Sequence, residues 1–159
     1  MKKMLSLALV AMALVASLGF APAVHADDSG TGAEADVTAK GIGKLTAHGD
    51  GIALLAGKGI VKVSGNGILW IKDNAGDAKI EVTGYGNKKE FPDGWVQYSG
   101  FHGNADIKGS NLRIVIAGVD VNLDAKGRGR VILWGHGTYA INGVPGQWQT
   151  TGTGKSLKM

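Results

Sequence analysis

Three histidines carry the clearest metal-ligand chemistry in this sequence. His48, His102 and His136 are each followed directly by glycine, which places each of them near a predicted turn. Three imidazoles from separate turns could meet at one end of a sheet and bind Zn²⁺ or Cu²⁺, with Asp50 as a further ligand. No tight ligand spacing such as H-x-H supports this site, and three solvated turn histidines are the competing interpretation. No other cofactor is predicted.

Aromatic residues form a second candidate site. Phe91, Trp95 and Tyr98 lie in or beside residues 85–94, the longest irregular and charged stretch of the sequence. Exposed Trp and Tyr side chains suit sugar binding because the ring is apolar and its edge is polar. Long loops on a rigid β framework often carry function, although a connection that crosses between sheets is the simpler explanation here. The three residues are therefore a candidate ligand patch.

Catalytic chemistry has weaker support. The chain has no cysteine, which excludes disulfides and thiolate nucleophiles. No serine lies in a G-x-S-x-G context. The G-K-S at residues 154–156 lacks the spacing and the strand-to-helix context of a phosphate loop. The sequence therefore predicts a protein that is not an enzyme.

A basic cluster at Lys126, Arg128 and Arg130 could contact an anionic glycan, a lipid headgroup or nucleic acid. Without interleaved aromatics, a solvated turn that guards a sheet edge is the competing interpretation. The formal net charge of +4 includes Lys2 and Lys3. Without these two lysines, 15 basic residues face 13 acidic ones, a net of +2. We therefore predict no nucleic-acid partner.

The N-terminus predicts export. Lys2 and Lys3 precede an apolar stretch over 5–20, and small residues at Val24 and Ala26 match a cleavage site after Ala26. We expect residues 1–26 to be a Sec-type signal peptide and residues 27–40 a flexible polar linker. The predicted location is periplasmic or extracellular, with no transmembrane span after cleavage.

Glycine pairs dominate the rest of the chain. G-x-G recurs every eight residues at 41/43, 49/51, 57/59 and 65/67, and related pairs return at 127/129 and 135/137. Eight residues are too few for a helical repeat. The period suits a six-residue strand with a two-residue turn, or one corner of a β-solenoid.

The Asn-Gly and Asp-Gly dipeptides favour the hairpin interpretation because type I′ turns prefer them. We therefore predict an all-β fold over 41–149, an antiparallel meander of short hairpins in two similar halves that form a sandwich or barrel, followed by a tail at 150–159. This scheme places Trp70 and Trp134 on the apolar faces. A β-solenoid is the alternative, since every odd position from Gly41 to Ile71 is apolar or glycine. The predicted turns lie at 50–51, 58–59, 66–67, 118–119, 128–129, 136–137 and 142–143.

The glycine punctuation over 41–143, after a signal peptide, resembles secreted or cell-surface bacterial proteins with glycine-rich β repeats, including adhesin head domains. The resemblance implies a surface, adhesion or binding module, and transfers no site residue. The alternative is a small glycan- or metal-binding secreted protein. The expected partner is an envelope or surface component, with a glycan as one candidate, and self-association through exposed strand edges remains open.

Overall fold

A computed structural model describes residues 42–159 of the chain. The predicted signal peptide and the whole of the predicted linker lie outside these residues. The described residues form six strands, of which two are very long: β1 (Gly43–Asp73) and β4 (Trp95–Ile141). The short strands are β2 (Lys79–Thr83), β3 (Asn87–Glu90), β5 (Val144–Gln147) and β6 (Lys155–Lys158). All five strand pairings are antiparallel, which confirms the predicted all-β antiparallel class.

The glycine pairs bend the two long strands instead of reversing them. Asp50, where a hairpin turn was predicted, lies inside β1 and pairs with His136 of β4. Lys58 likewise pairs with Arg128 across the next bend. The predicted turns at these glycines, from 50–51 to 136–137, are therefore wrong. The type I′ preference of Asp-Gly was outweighed because each bend is paired to a facing bend along its length.

Between bends, β1 has a different partner on each side. Its segment 43–49 pairs with 121–127 and with 137–141, whereas its next segment, 51–57, pairs with 112–118 and 129–135. Successive eight-residue segments thus alternate between two layers of antiparallel strands. Two segments carry the chain once around the fold. The chain combines the antiparallel pairing of the predicted meander with the continuous winding of the predicted solenoid.

The resulting fold is sandwich-like, and its sheet is not closed into a barrel. We refer to the two sides as the first layer and the second layer. The first layer has the strand order 144–147, 137–141, 43–49, 121–127, 59–65, 103–109, 79–83. The second layer has the order 155–158, 129–135, 51–57, 112–118, 67–73, 95–101, 87–90.

The core lies between the layers and is formed by every second residue. In β1, odd-numbered side chains are buried together across all four segments, from Leu45 at 0% exposure to Ile71 at 1%. Side chains alternate between the faces of a strand, so this unbroken parity confirms that β1 does not reverse at its glycines. The other fully buried large side chains include Phe101, Leu69, Ile107, Ile114, Ile116, Leu133, Val121 and Val131.

The outer strands close the fold at both ends. Asn142 and Gly143 form the one predicted two-residue hairpin that the structure confirms, since Ile141 pairs directly with Val144. The sequence predicted a tail at 150–159, but in the structure part of this segment is strand β6, which pairs with residues 130–133 of β4. Leu157 of β6 packs against the core, which explains why this segment joins the sheet. Within residues 42–159, no helix has the length and apolarity needed to cross a membrane.

Candidate functional site: a polar trough on the first layer

Polar side chains point outward from five adjacent strands of the first layer. Segments of β1 and β4 alternate across this layer, and each residue is paired with one on the neighbouring segment. The outward residues therefore line up in rows that run across the strands. One row consists of Thr138, His48, Asn122, Ser64 and Asn104. The neighbouring row consists of Ala140, Thr46, Asp124, Lys62 and Asp106.

These two rows line an open trough of about 850 Å³. Its floor is the backbone of inward-facing residues such as Ala47 and Val63, and its end is formed by residues 145–147. Five strands at a spacing of about 4.8 Å give the trough a length of about 19 Å. An extended molecule lying across the strands would therefore meet a pair of polar side chains on four of the strands and Thr138 on the fifth.

Hydrogen bonds hold one end of the trough in place. His48 Nδ1 lies 2.8 Å from Asn122 Oδ1, and Asn122 Nδ2 donates to the Asp120 carbonyl oxygen at 2.9 Å. Since the amide oxygen of Asn122 can only accept, Nδ1 of His48 is the donor in this pair. Nε2 of His48 is then the acceptor nitrogen of the imidazole.

The other end of the trough carries charge. Lys62 Nζ lies 3.0 Å from Asp106 Oδ1, and both side chains are more than half exposed. Asp124 pairs with Lys62 from the opposite side. The trough therefore offers carboxylate acceptors, an ammonium donor, amides and hydroxyls, all open to solvent. None of the described polar or charged side chains that line the trough is buried.

The three predicted metal ligands do not meet. His102 lies beside Asn66, His136 pairs with Asp50, and His48 contacts Asn122. His136 and His102 lie along one edge of the sandwich with three strands between them, which separates their backbones by about 19 Å. Among residues 42–159, no group of three His, Asp or Glu side chains is arranged to hold a metal ion.

The predicted aromatic patch is divided between the two sides of the second layer. Tyr98 pairs with Leu69 and points into the core, where burial raises the pKa of its hydroxyl. Trp95 and Phe91 instead contact Trp70 on the outer side, with ring centroids 6.3 and 5.1 Å from that of Trp70. Trp70 is buried as the sequence predicted, at 7% exposure, but it lies on the face of the second layer opposite to its neighbours Leu69 and Ile71.

The sequence analysis did not identify the trough as a site. The signal was present, since polar side chains occupy alternate positions at 44–48, 62–64, 104–106 and 122–124. These short polar stretches lie far apart in the sequence. Only the cross-strand register brings them together as two continuous rows.

Comparisons with known proteins identify no relative of this chain. No protein-family model, no curated protein and no solved structure matches this chain.

Proposed function

We propose that this protein is an exported, non-enzymatic binding module that holds an extended glycan in the trough of its first layer. The observation that carries the proposal is a pair of polar rows that run side by side across the first layer, one over five strands and the other over four. The N-terminal sequence supports export, because residues 1–26 have the pattern of a cleavable signal peptide.

The composition of the rows fits a hydroxyl-rich ligand. Sugar hydroxyls both donate and accept, so they need a surface that mixes the two functions. Asn104 and Asn122 supply both, while Asp106 and Asp124 accept strongly as carboxylates. With Lys62 between the two carboxylates, the charge of this end is partly balanced. That balance suits a neutral or weakly charged chain more than a polyanion.

A glycan array probed with the purified protein tests the proposal. The glycans that bind are then titrated by calorimetry against three variants. Asn122→Ala and Asn104→Ala remove amides from two strands of the trough and are each expected to weaken binding about tenfold, the equivalent of one net hydrogen bond to the ligand. Gln97→Ala is the matched control, because Gln97 lies on the second layer and outside the trough.

The expected result is a selective set of glycans whose affinity falls in the two trough variants and stays within twofold in the control. A glycan array without binding contradicts the proposal. Equal losses in all three variants also contradict it, because they would place the ligand elsewhere. Circular dichroism and thermal melts of each variant separate lost binding from lost folding.

A further inference from the structure

We infer that the edge of the sandwich opposite the histidines is a docking surface for anionic lipid headgroups. Here β1 bends at 57–59 and β4 at 127–129. Ten of the 17 Lys and Arg residues in the chain lie at this bend or in the outward row next to it on either layer, and we refer to them as the basic edge. They are Lys44, Lys58, Lys72, Lys79, Lys108, Arg113, Lys126, Arg128, Arg130 and Lys158.

The basic edge places like charges directly opposite each other. At the bend, Lys58 pairs with Arg128. Like charges in this cross-strand position destabilise a sheet. The same arrangement recurs in four further direct pairs, which are Lys44 with Lys126, Lys79 with Lys108, Lys72 with Arg113 and Arg130 with Lys158.

The carboxylates near this edge lie at its far end or one row away from it. The ion pairs Lys62–Asp106 and Lys88–Glu90 both lie outside the basic edge. At its far end, Asp73 accepts the backbone N–H groups of Ala75 and Ala78 at 3.0 and 2.7 Å, and Asp77 accepts the Ser110 backbone N–H at 3.0 Å. Further carboxylates on the first layer lie one row away from the edge, at Asp106, Asp124 and Glu81. Repulsion between these paired cations destabilises the sheet, and an anionic partner bound at the basic edge would reduce that repulsion.

Two exposed isoleucines favour a lipid surface over other anionic partners. Ile60 is 43% exposed and lies between Lys126 and Lys108 in the outward row of the first layer. Ile42 is 64% exposed and precedes Gly43, which pairs with Gly127 at the same bend. A convex edge with cations around projecting aliphatic side chains matches the boundary between headgroups and acyl chains. A nucleic acid or a free polyphosphate would use the cations and leave the isoleucines without a role.

Co-sedimentation with vesicles tests this inference. The purified protein is mixed with vesicles of phosphatidylcholine alone, or of phosphatidylcholine with 30% phosphatidylglycerol. Binding is expected only to the anionic vesicles and is expected to weaken as salt rises. The triple variant Lys58→Gln, Lys126→Gln, Arg128→Gln is expected to bind about 100-fold more weakly, from about 1 kcal/mol for each cation near an anionic surface.

The matched control removes the same charge elsewhere. Lys62→Gln, Lys88→Gln, Lys89→Gln changes the net charge equally but leaves the basic edge intact, and its vesicle affinity is expected to stay within about threefold of the unmodified protein. Equal loss in both triple variants would overturn the inference, because net charge alone would then explain binding.

The apolar contact is tested separately. Ile60→Ser is expected to weaken vesicle binding about tenfold, from the transfer free energy of one aliphatic side chain. The same variant is expected to leave weak binding of inorganic polyphosphate and of random-sequence duplex DNA unchanged. Tighter binding to DNA or polyphosphate than to vesicles, or vesicle binding that ignores Ile60, would overturn the lipid assignment. Because Lys58, Ile60, Lys126 and Arg128 do not line the glycan trough, failure of either proposal leaves the other intact.

Discussion

Gly49 and Gly137 face each other across the first bend, so closely that neither position has room for a side chain. A Cβ on Gly49 would overlap the carbonyl oxygen of His136, and a Cβ on Gly137 would overlap that of His48, in both cases closer than the 3.0 Å that real Cβ atoms respect. The obstructing atoms are backbone, so no rotamer change relieves the clash. The glycine pairs thus let two paired strands bend together.

The first prediction concerns this contact. Gly49→Ala or Gly137→Ala is expected to lower the free energy of unfolding by about 3 kcal/mol or more, because both paired strands must move. Chemical denaturation measures the change. Gly86→Ala is the control, since the nearest atom to its Cβ would be the Ser99 carbonyl oxygen at an ordinary 3.4 Å, and it is expected to cost less than about 1 kcal/mol. Equal effects at Gly86 and Gly49 would contradict this role for the bends.

The second prediction tests the unbroken parity of β1. Leu69 has no exposed surface and lies in the core, whereas Ile68 is half-buried on the outer side. Leu69→Ala is therefore expected to cost about 2–5 kcal/mol and Ile68→Ala clearly less. The hairpin scheme reverses this order, because it places Ile68 inward. Denaturant titrations of the two variants decide between the two windings.

The third prediction concerns the hairpin at Asn142 and Gly143. Gly143 has φ = 84°, a left-handed conformation, and a Cβ there would meet open space. Gly143→Ala is thus expected to cost about 1–2 kcal/mol through backbone strain alone. Asn142→Gly keeps the left-handed conformation accessible and removes only the hydrogen bond from the Lys44 N–H, 2.9 Å long. It is expected to cost less than Gly143→Ala in the same thermal melts, and the reverse order would show that the side-chain bond dominates.

The fourth prediction is a pH dependence. The backbone N–H of Ser110 donates to Asp77 and holds the pKa of this carboxyl below its ordinary value of 3.8. A lowered folded-state pKa stabilises the protein above the unfolded-state value, and the effect disappears as pH falls through the folded-state pKa. Asp77→Asn is therefore expected to lower the Tm at pH 7, with a difference that shrinks steadily below about pH 4.

Glu81→Gln is the control for this titration, because Glu81 is an exposed carboxylate on the neighbouring strand β2. Its Tm difference is expected to be smaller at pH 7. A Tm difference for Asp77→Asn that stays constant down to pH 2 would show that the carboxylate charge does not contribute.

Much of this fold was predictable from the sequence because β-structure leaves local signals. Alternation of Leu45 and Ala47 with polar neighbours predicted antiparallel strands with one apolar face, and the structure confirms it. The Asn142–Gly143 turn was predicted from its dipeptide, since few other residues adopt positive φ at both positions. Asp50–Gly51 carries a similar dipeptide, yet it lies within a continuous strand.

The candidate sites show the same division. The sequence alone determined the spacing of the glycines, the alternation of apolar residues and the local concentration of positive charge at 126–130. Only the tertiary structure decided that β1 winds through two layers, that His102 and His136 stay apart, and that lysines from four strands join Arg128 at one edge. The reason is physical: turn preference and side-chain alternation act between neighbours in sequence, whereas cross-strand register is fixed by contacts between segments that are distant in sequence, such as Lys58 and Arg128.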